Sequence, residues 1–341
     1  MTSVDSMRES AITDLELGSD VLYLSKKDVL DLGITRAEIL DHTRDALIEH
    51  GNHRYEMPAK IGVHPYPEVF FHAMPAFVPA KGAVGCKWIE CYPGNPKKFG
   101  LPQTTGLMII NDVETGVPVA IMDSTWVTAV RTPAVTVLAA AELHPGATTF
   151  GMFGCGVQGK EHVRFAAEAM PGLETVTVFD SNVAAAESLV NELRDVVPFT
   201  LVVGDSAEAV VKSSEVLSSA TIILKDPLSV VKDEWVGAGQ TILPCDLNTF
   251  WDPALTKRAD KFIVDSIEEH QLFSEMGYFP DGLPTIAAET GEVLAGVVAG
   301  RENSEQIIVN SNIGMAVCDV VVGKAIFDLA VTRKIGVTLS L

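Results

Sequence analysis

A glycine-rich turn is the part of this sequence whose residue types and spacing point most directly to chemistry. The apolar stretch 149–153 predicts a short strand, Gly154-Cys-Gly-Val-Gln-Gly159 follows it, and an amphipathic helical pattern begins at once. Glycines in such a turn permit a tight backbone and let a pyrophosphate lie on the N–H groups of the new helix. An ordinary tight turn is the alternative, but strand, glycines and helix together favour a dinucleotide site. The residues expected to bind it there are Gly154, Gly156, Val157, Gln158 and Gly159.

The acid at the end of the next predicted strand indicates which dinucleotide binds. The strand 175–179 ends in Asp180, about 20 residues beyond the last glycine, where a carboxylate accepts hydrogen bonds from ribose hydroxyls. The same charge repels the 2′-phosphate of NADP, and Ser181-Asn-Val183 includes no Arg to bind that phosphate. The sequence therefore predicts NAD as the cofactor, with Ser181 and Thr132 as further contacts.

Two basic residues stand where an isolated charge is unusual. Arg131 lies immediately before Thr132-Pro133, which reads as an N-cap followed by Pro at the first helical position and predicts a helix to Leu143. A guanidinium beside a helix N-terminus would bind a carboxylate, whereas the alternative is a surface arginine in a loop. Lys87 lies in the apolar stretch 83–89, where it either meets an anion or a polar cleft, or faces the wet side of a sheet.

Asp246 and Lys60 complete the set of candidates. Asp246 follows the strand 241–245, and the carboxyl ends of strands in open α/β sheets face the ligand, so it is expected near a nicotinamide. Its alternative is a turn or N-cap aspartate, which the sequence Asp-Leu-Asn fits. Lys60 follows a Pro turn, where a lone lysine is most often solvated. The spacing of the His and Cys residues predicts no metal site.

The elements that must position these residues form two groups. Residues 69–121 alternate short strands with Gly and Pro turns, which predicts a largely antiparallel sheet whose exposed face and edges favour pairing with a second copy. From Thr149 onward strands and helices alternate, which predicts a parallel sheet covered by helices on both faces. Capping boxes at Ser25–Asp28 and Thr35–Glu38 predict two early helix starts, and 314–333 predicts a long final helix. The expected fold class is α/β, a Rossmann dinucleotide-binding domain plus an α+β domain.

Composition limits the partners and the compartment. The chain has 341 residues, enough for two domains, and its formal net charge of −20 argues against nucleic acid and anionic membrane surfaces as partners. We find no charge-free apolar run of the ~18 residues that a membrane span needs. The five Cys residues form no Cys-x-x-Cys pair, which favours buried thiols and a cytoplasmic location.

Several motifs, in order along the chain, resemble those of the ornithine cyclodeaminase/mu-crystallin family. They are Gly85-Cys-Lys-Trp88 with Tyr92-Pro-Gly-Asn95, Thr128-Ala-Val-Arg-Thr-Pro-Ala134, the glycine turn, Leu294-Ala-Gly-Val-Val-Ala-Gly-Arg301 and Asn310-Ser-Asn-Ile-Gly-Met-Ala-Val-Cys-Asp319. The resemblance covers roughly residue 22 to the C-terminus. It implies a homodimer, a substrate-binding and dimerisation domain formed by residues 1–130 with 312–341, and a Rossmann NAD-binding domain at 131–311.

The resemblance also implies roles for the candidates. Lys87 and Arg131 match substrate-carboxylate ligands, Asp246 matches the catalytic acid, and Lys60 stands where many members have Arg. We therefore expect Asp246 and Lys87 to be catalytic, and Arg131, Lys87 and Lys60 to bind substrate. Gly159 is often Ala in the family, and Leu243-Pro-Cys-Asp246 departs from the common Gly-Gly/Gly-Ala-Asp form.

The function that the resemblance implies is hydride transfer at Cα of an amino acid/imino acid pair, as in an NAD-dependent amino acid dehydrogenase or imine reductase. One alternative is an ornithine or lysine cyclodeaminase that recycles its NAD. Another is a crystallin-like protein that binds a ligand without turnover, although the presence of Lys87, Arg131 and Asp246 argues against it. The expected partners are a small amino or imino acid and a second copy of the chain.

Overall fold

The computed structural model describes residues 15–341, which divide into two compact units. The first unit comprises residues 15–131 together with Met315–Leu341, and the second is Thr132–Gly314. Residues 1–14, which the predicted first domain includes, lie outside the described residues.

A seven-stranded sheet forms the frame of the first unit. Its strands are β1 (Asp20–Leu24), β2 (Ile61–Tyr66), β3 (Val69–Val78), β4 (Ala83–Cys91), β5 (Thr104–Asn111), β6 (Pro118–Asp123) and β15 (Val337–Ser340). Their order is β15-β1-β6-β5-β4-β3-β2. Strand β1 is parallel to β6, and the other neighbours are antiparallel, so the expected antiparallel character is confirmed. The edge strands β2 and β15 and the short β1 were not expected.

Four helices lie wholly within the described part of this unit. They are α1 (Lys26–Asp31), α2 (Arg36–Gly51), the short α3 (Asn95–Phe99) and the C-terminal helix Ala316–Arg333, which is α11 in chain order. Both predicted capping boxes are present at the starts of α1 and α2. Helix α11 packs on α2, β3, β4 and β5. Gly323 permits this close approach, because a Cβ there would lie 2.4 Å from the Cε of Met108.

The second unit is built on an eight-stranded sheet; its parallel character was predicted, whereas its edge strand Ile286–Glu289 was not. Its strands are β7 (Thr149–Phe153), β8 (Thr175–Phe179), β9 (Thr200–Val203), β10 (Val216–Ser219), β11 (Thr241–Pro244), β12 (Lys261–Val264), β13 (Ile286–Glu289) and β14 (Ile308–Ser311). Their order is β13-β12-β14-β11-β10-β7-β8-β9, and all neighbours are parallel. The chain adds β8 and β9 on one side of β7 and then returns to add β10 on the other. Ligands of such sheets bind at the carboxyl ends of the strands beside this switch point.

The helices of the second unit connect its strands. They are α5 (Val157–Ala169), α6 (Val183–Leu193), α7 (Ala207–Lys212), α8 (Pro253–Arg258), α9 (Ile267–Glu275) and α10 (Thr290–Leu294). One more helix, α4 (Thr125–Leu143), contains the boundary between the two units. Of the helices in residues 15–341, none combines the length and the apolarity that crossing a bilayer requires.

The predicted start of α4 at Thr132-Pro133 is wrong. The helix begins at Thr125, and the amide of Trp126 donates to the side chain of Asp123 at 3.1 Å, so an earlier residue provides the N-terminal hydrogen bond. Pro133 lies inside the helix. It lacks the N–H that would donate to the carbonyl four residues earlier, but the chain stays helical on both sides of it. The Thr-Pro pair was therefore a misleading N-terminal signal.

Candidate functional site

Lys87 lies on the buried face of β4, in the middle of the sheet of the first unit. Residues of β4 alternate between buried and more exposed positions, and Lys87 shares the buried face with Gly85 and Ile89. Its ammonium donates to Oδ1 of Asp319 at 2.7 Å, and both side chains have no exposed surface. Of the two interpretations of this lysine, pairing with an anion is therefore correct and a wet sheet face is not.

Arg131 reaches the same carboxylate. Its Nε donates to Oδ1 of Asp319 at 2.9 Å, and Arg131 is 5% exposed. Because Arg131 lies in the second turn of α4, its predicted place beside a helix N-terminus is wrong, and so is the surface-loop alternative. What remains of the prediction is a buried guanidinium beside a second buried cation.

Asp319 pairs with both predicted cations and was not among the residues that the sequence singled out. It lies in the first turn of α11, and one of its oxygens accepts hydrogen bonds from both Lys87 and Arg131. Burial opposes ionisation of Asp319, but the adjacent charges of Arg131 and Lys87 bring its pKa below the usual value. The available signal was an Asp in an otherwise apolar helical stretch, where a carboxylate requires a cationic partner.

Lys60 lies close enough to Lys87 for its charge to lower the pKa of Lys87, and the charges of both lysines lower the pKa of His72. Lys60 is 6% exposed, so the expectation of a solvated lysine is wrong. His72 is buried on β3, and burial together with the charge of Lys60 lowers its pKa to about 3. His72 is therefore neutral at physiological pH. We call Lys60, Lys87, Arg131 and Asp319 the cationic cluster, which brings together all three predicted substrate-binding residues.

Burial controls the charge of Lys87. It is the largest cause that lowers the pKa of Lys87 to about 7, and the charge of Arg131 acts in the same direction. The carboxylate of Asp319 opposes this shift. Lys87 can consequently change its protonation near neutral pH, which suits a group that binds an anion or transfers a proton.

The glycine turn forms a cradle at the carboxyl end of β7. Gly154 has a φ of +91°, and a Cβ at Gly159 would lie 1.9 Å from the carbonyl oxygen of Gly154, so both positions require glycine in this conformation. Around Gly156, in contrast, the described residues leave open space where a Cβ would project. Gly156 precedes the first turn of α5, which contains Val157, Gln158 and Gly159, and Gly156 provides no side-chain cap. This arrangement fits a pyrophosphate on the helix N-terminus.

Asp180 is fixed beside that cradle. One carboxylate oxygen accepts from the amide of Cys155 at 2.8 Å, and the other accepts from the amide of Asn182 at 2.8 Å. The adjacent Ser181 is exposed. The carboxylate is therefore held at the end of β8, next to the turn, with lone pairs left to accept from ribose hydroxyls. Thr132, the remaining predicted cofactor contact, lies inside α4.

Asp246 follows β11 at the same edge of the parallel sheet. Strands β7, β10 and β11 are neighbours, so the glycine turn, residues 220–221 and Asp246 all follow the carboxyl ends of adjacent strands. Asp246 has no exposed surface and accepts from the hydroxyls of Ser219 and Thr221 and from the amide of Thr221. Burial raises its pKa, and the hydroxyl hydrogen bonds limit the rise. Its side-chain partners differ from those of a helix N-cap, but its carbonyl accepts from the amide of Thr249 at 3.1 Å, so the alternative of a turn residue is correct for its backbone.

Comparison with known proteins places this geometry in a family. The model of the ornithine cyclodeaminase/mu-crystallin family matches residues 22–334. The chain is 32% identical to the nodulation efficiency protein NfeD of Rhizobium meliloti over 324 residues, which cover 94% of this chain and 98% of the relative.

Two solved structures are similar over nearly the whole chain. The Δ1-pyrroline-2-carboxylate reductase of Thermococcus litoralis, in complex with NADH and L-proline, has a TM-score of 0.82 and 27% identity, covering 93% of this chain and 99% of that one. An archaeal alanine dehydrogenase dimer with bound NAD has a TM-score of 0.83 and 29% identity, covering 94% and 99%. The predicted fold class is confirmed by these similarities.

Proposed function

The chain belongs to the ornithine cyclodeaminase/mu-crystallin family, and we propose that it is an NAD-dependent oxidoreductase acting at Cα of an amino acid/imino acid pair. The observation that carries this proposal is the buried cationic cluster, in which Lys87 and Arg131 are held by a single carboxylate of Asp319. Two buried cations arranged around one anion are suited to receive a second carboxylate, the group that every amino or imino acid substrate offers.

The second unit is the proposed NAD-binding domain. Gly154, Gly156, Val157, Gln158 and Gly159 would hold the pyrophosphate, and Asp180 with Ser181 would hold a ribose, with Thr132 as a further contact. Bound NAD would supply the hydride acceptor, and the protein must supply carboxylate recognition and proton transfer at nitrogen. The geometry of the turn and the fixed carboxylate of Asp180 support this assignment.

The first unit is the proposed substrate-binding domain. Arg131 and Lys87 would bind the substrate carboxylate, and Lys60 would add positive charge to the same cluster. Lys87, whose pKa burial lowers to about 7, is also our second catalytic candidate because it can lose or gain a proton near neutrality.

Asp246 is the proposed acid–base group. In oxidation it would receive the proton that leaves the substrate ammonium, and in reduction it would return a proton to the nitrogen. Burial raises the pKa of Asp246 towards the range in which a carboxyl group can serve both roles. The carboxyl end of β11 next to the switch point is where such a group meets a ligand in sheets of this kind.

We further propose a homodimer that forms through the open face of the antiparallel sheet. This face, opposite α11, exposes Trp88, Leu107 and Ile109 by 44%, 47% and 42%. Apolar side chains grouped on one sheet face mark an interaction surface, and a dimer is the form in which the archaeal alanine dehydrogenase was solved. Replacing Ile109 by Asp should yield monomers in analytical ultracentrifugation. A cytoplasmic location is proposed because all five cysteines are free thiols.

A substrate panel tests the reaction. L-Alanine, L-proline, L-ornithine and L-lysine are each supplied with NAD, and pyruvate with ammonia or Δ1-pyrroline-2-carboxylate is supplied with NADH. We expect NADH formation from one or more amino acids, or NADH consumption by an imino acid. Proline and ammonia from ornithine without net NADH would select the cyclodeaminase alternative, and no turnover on any compound would select the binding protein.

The role of Asp246 is tested by Asp246→Asn, which keeps the shape of the side chain and removes its acid–base capacity. A general acid–base group contributes about 10²–10⁴-fold, so kcat on the best substrate should fall by that factor. Calorimetric titration should show that the variant still binds NAD. Near-normal turnover of Asp246→Asn would mean that this mechanism is wrong.

A further inference from the structure

We propose that the hydroxyl of Thr221 is a proton relay between Asp246 and the substrate nitrogen. The proposal deepens the function proposed above and rests on Asp246 as its acid–base group. It answers a difficulty that the geometry raises, because Asp246 has no exposed surface and yet must exchange a proton with a ligand in every turnover.

Thr221 connects the buried carboxyl group with the surface. Its hydroxyl and its amide both donate to Oδ2 of Asp246, the amide at 3.1 Å. Thr221 is half-buried, and the next two residues, Ile222 and Ile223, are exposed by 51% and 39%. Thr221 therefore lies where the buried group meets an accessible loop, and its hydroxyl is also 3.4 Å from the carbonyl oxygen of Ile222. Because a hydroxyl has one proton and two lone pairs, it can accept a proton on one side while it donates one on the other.

The second hydroxyl that donates to Asp246 belongs to Ser219, and its hydrogen bonds do not connect Asp246 with an accessible surface. Ser219 donates to Oδ1 of Asp246 at 2.6 Å and accepts from the indole N–H of Trp251 at 2.7 Å. Ser219, Trp251 and Asp246 have no exposed surface. An indole N–H is a donor only, so this chain of hydrogen bonds ends at Trp251 and carries no proton to a ligand. We assign Ser219 and Trp251 to fixing the orientation of the carboxylate.

The relay balances in both directions of the reaction. In reduction, the O–H bond of Thr221 breaks as its proton moves to the substrate nitrogen, and the proton of the Asp246 carboxyl group replaces it. Asp246 becomes a carboxylate and Thr221 recovers its hydroxyl. In oxidation, Thr221 accepts a proton from the substrate ammonium and passes its own proton to Asp246. Bound NAD would accept or supply the hydride, so no further reactant is needed.

Thr221→Val and Thr221→Ser form the matched test. Valine keeps the shape and the amide hydrogen bond to Asp246 but removes the hydroxyl, whereas serine keeps the hydroxyl. With the best amino acid of the panel, Thr221→Val should lose about 10²-fold or more in kcat, and Thr221→Ser should stay close to the parent. The solvent deuterium isotope effect on kcat should increase in Thr221→Val, because proton transfer then limits the rate. Ser219→Ala should lower kcat without this increase.

A second readout needs no substrate. In protein labelled with ¹³C at the aspartate carboxyl groups, NMR titration reports the pKa of Asp246 directly. The Thr221 hydroxyl stabilises the ionised form, so its removal should raise this pKa, and serine should restore the parent value. This measurement tests the hydrogen bond on which the relay depends, even if a variant is poorly active for another reason.

The outcomes separate the relay from the function on which it rests. Parent-like kcat and solvent isotope effect in Thr221→Val, with Asp246→Asn inactive, would overturn the relay and leave Asp246 as a group that acts directly. An unchanged pKa of Asp246 in Thr221→Val would also contradict it. Full activity of Asp246→Asn would instead overturn the proposed mechanism itself, whatever Thr221→Val does.

Discussion

The ammonium of Lys87 lies 2.7 Å from the carboxylate of Asp319, although 232 positions separate the two residues in the chain. The contact joins the interior strand β4 to the C-terminal helix α11, and Arg131 shares the same oxygen. One buried anion thus fixes the positions of both cations before a substrate arrives. A positioned pair of donors loses less side-chain entropy on binding than two mobile ones.

The first prediction concerns stability. Asp319→Asn keeps the shape of the side chain but leaves Lys87 and Arg131 buried without their shared anion. Loss of one partner from a buried pair costs about 3–5 kcal/mol in the free energy of unfolding. Urea denaturation of the parent and the variant measures this difference.

Asp328→Asn on the same helix is the matched control. Asp328 pairs with Lys324 at 2.7 Å, and both side chains are partly exposed. Surface pairs contribute about 0–1 kcal/mol, so this variant should unfold close to the parent. Equal effects of the two substitutions would show that Asp319 has no special role in the cluster.

The second prediction assigns the substrate carboxylate to Arg131. In Arg131→Ala, Asp319 keeps Lys87 as its partner, so the main loss is the charge-assisted hydrogen bond to substrate. Such a loss costs about 1.5–3 kcal/mol, or roughly 10–150-fold in the substrate Kd. Titration with the best amino acid and with NAD should show weaker substrate binding and unchanged NAD binding. Lys212→Ala, at a surface pair with Glu208, is the control. An unchanged substrate Kd in Arg131→Ala rules out the anchoring role.

The third prediction is a pH dependence caused by Lys87. Its pKa is lowered to about 7, so its positive charge is present below that pH and is lost as the pH rises through it. The substrate KM should therefore increase with rising pH, because the carboxylate then meets one cation fewer. Lys87→Arg should flatten this dependence, since a guanidinium stays protonated over the whole range. A KM profile that is identical in Lys87→Arg would assign the titration to another group.

How well each segment of the fold could be predicted depends on whether its residues are buried, because burial gives a strand its apolar pattern. Strands β7 and β8 have apolar residues covered by helices, and their predicted bounds match the structure. Strand β2 was missed because all six of its residues are exposed and Pro65 interrupts the pattern. The start of α4 was misplaced because Thr132-Pro133 resembles a helix start, whereas the side chain that bonds the first turn is Asp123.

The candidate site was predictable where all the residues of one feature lie in a continuous stretch of sequence. The glycine turn and Asp180 are of this kind, because strand, turn and helix are contiguous in sequence. The anion that holds Lys87 was not predictable from β4, since its partner arrives from the C-terminal helix. Burial of Lys60 likewise depends on tertiary packing, which its Pro turn does not encode.

The fourth prediction concerns the choice of cofactor. Asp180 is fixed by two backbone amides, and we propose that its carboxylate lies where the 2′-phosphate of NADP would otherwise bind. The parent should prefer NAD. Asp180→Ala should lower the ratio of kcat/KM with NAD to kcat/KM with NADP by about tenfold or more, ~1.4 kcal/mol. Asp195→Ala, an exposed carboxylate beyond the end of α6, should leave the ratio unchanged. Equal use of both cofactors by the parent would contradict the assignment.

The last prediction separates two glycines of the same turn. A Cβ at Gly159 would lie 1.9 Å from the carbonyl oxygen of Gly154, so Gly159→Ala forces the helix away from the strand and should cost about 1–3 kcal/mol of stability. At Gly156 the described residues leave room for a Cβ, and its φ of −75° suits alanine. Gly156→Ala should therefore unfold like the parent.

Gly156→Ala should nevertheless weaken NAD binding, because the added methyl group would project where the pyrophosphate approaches the backbone. Urea denaturation and calorimetric titration of both variants measure the two effects independently. Loss of stability in Gly159→Ala with loss of NAD affinity in Gly156→Ala is the expected pattern. If Gly156→Ala bound NAD as tightly as the parent, the pyrophosphate could not lie against this turn as proposed.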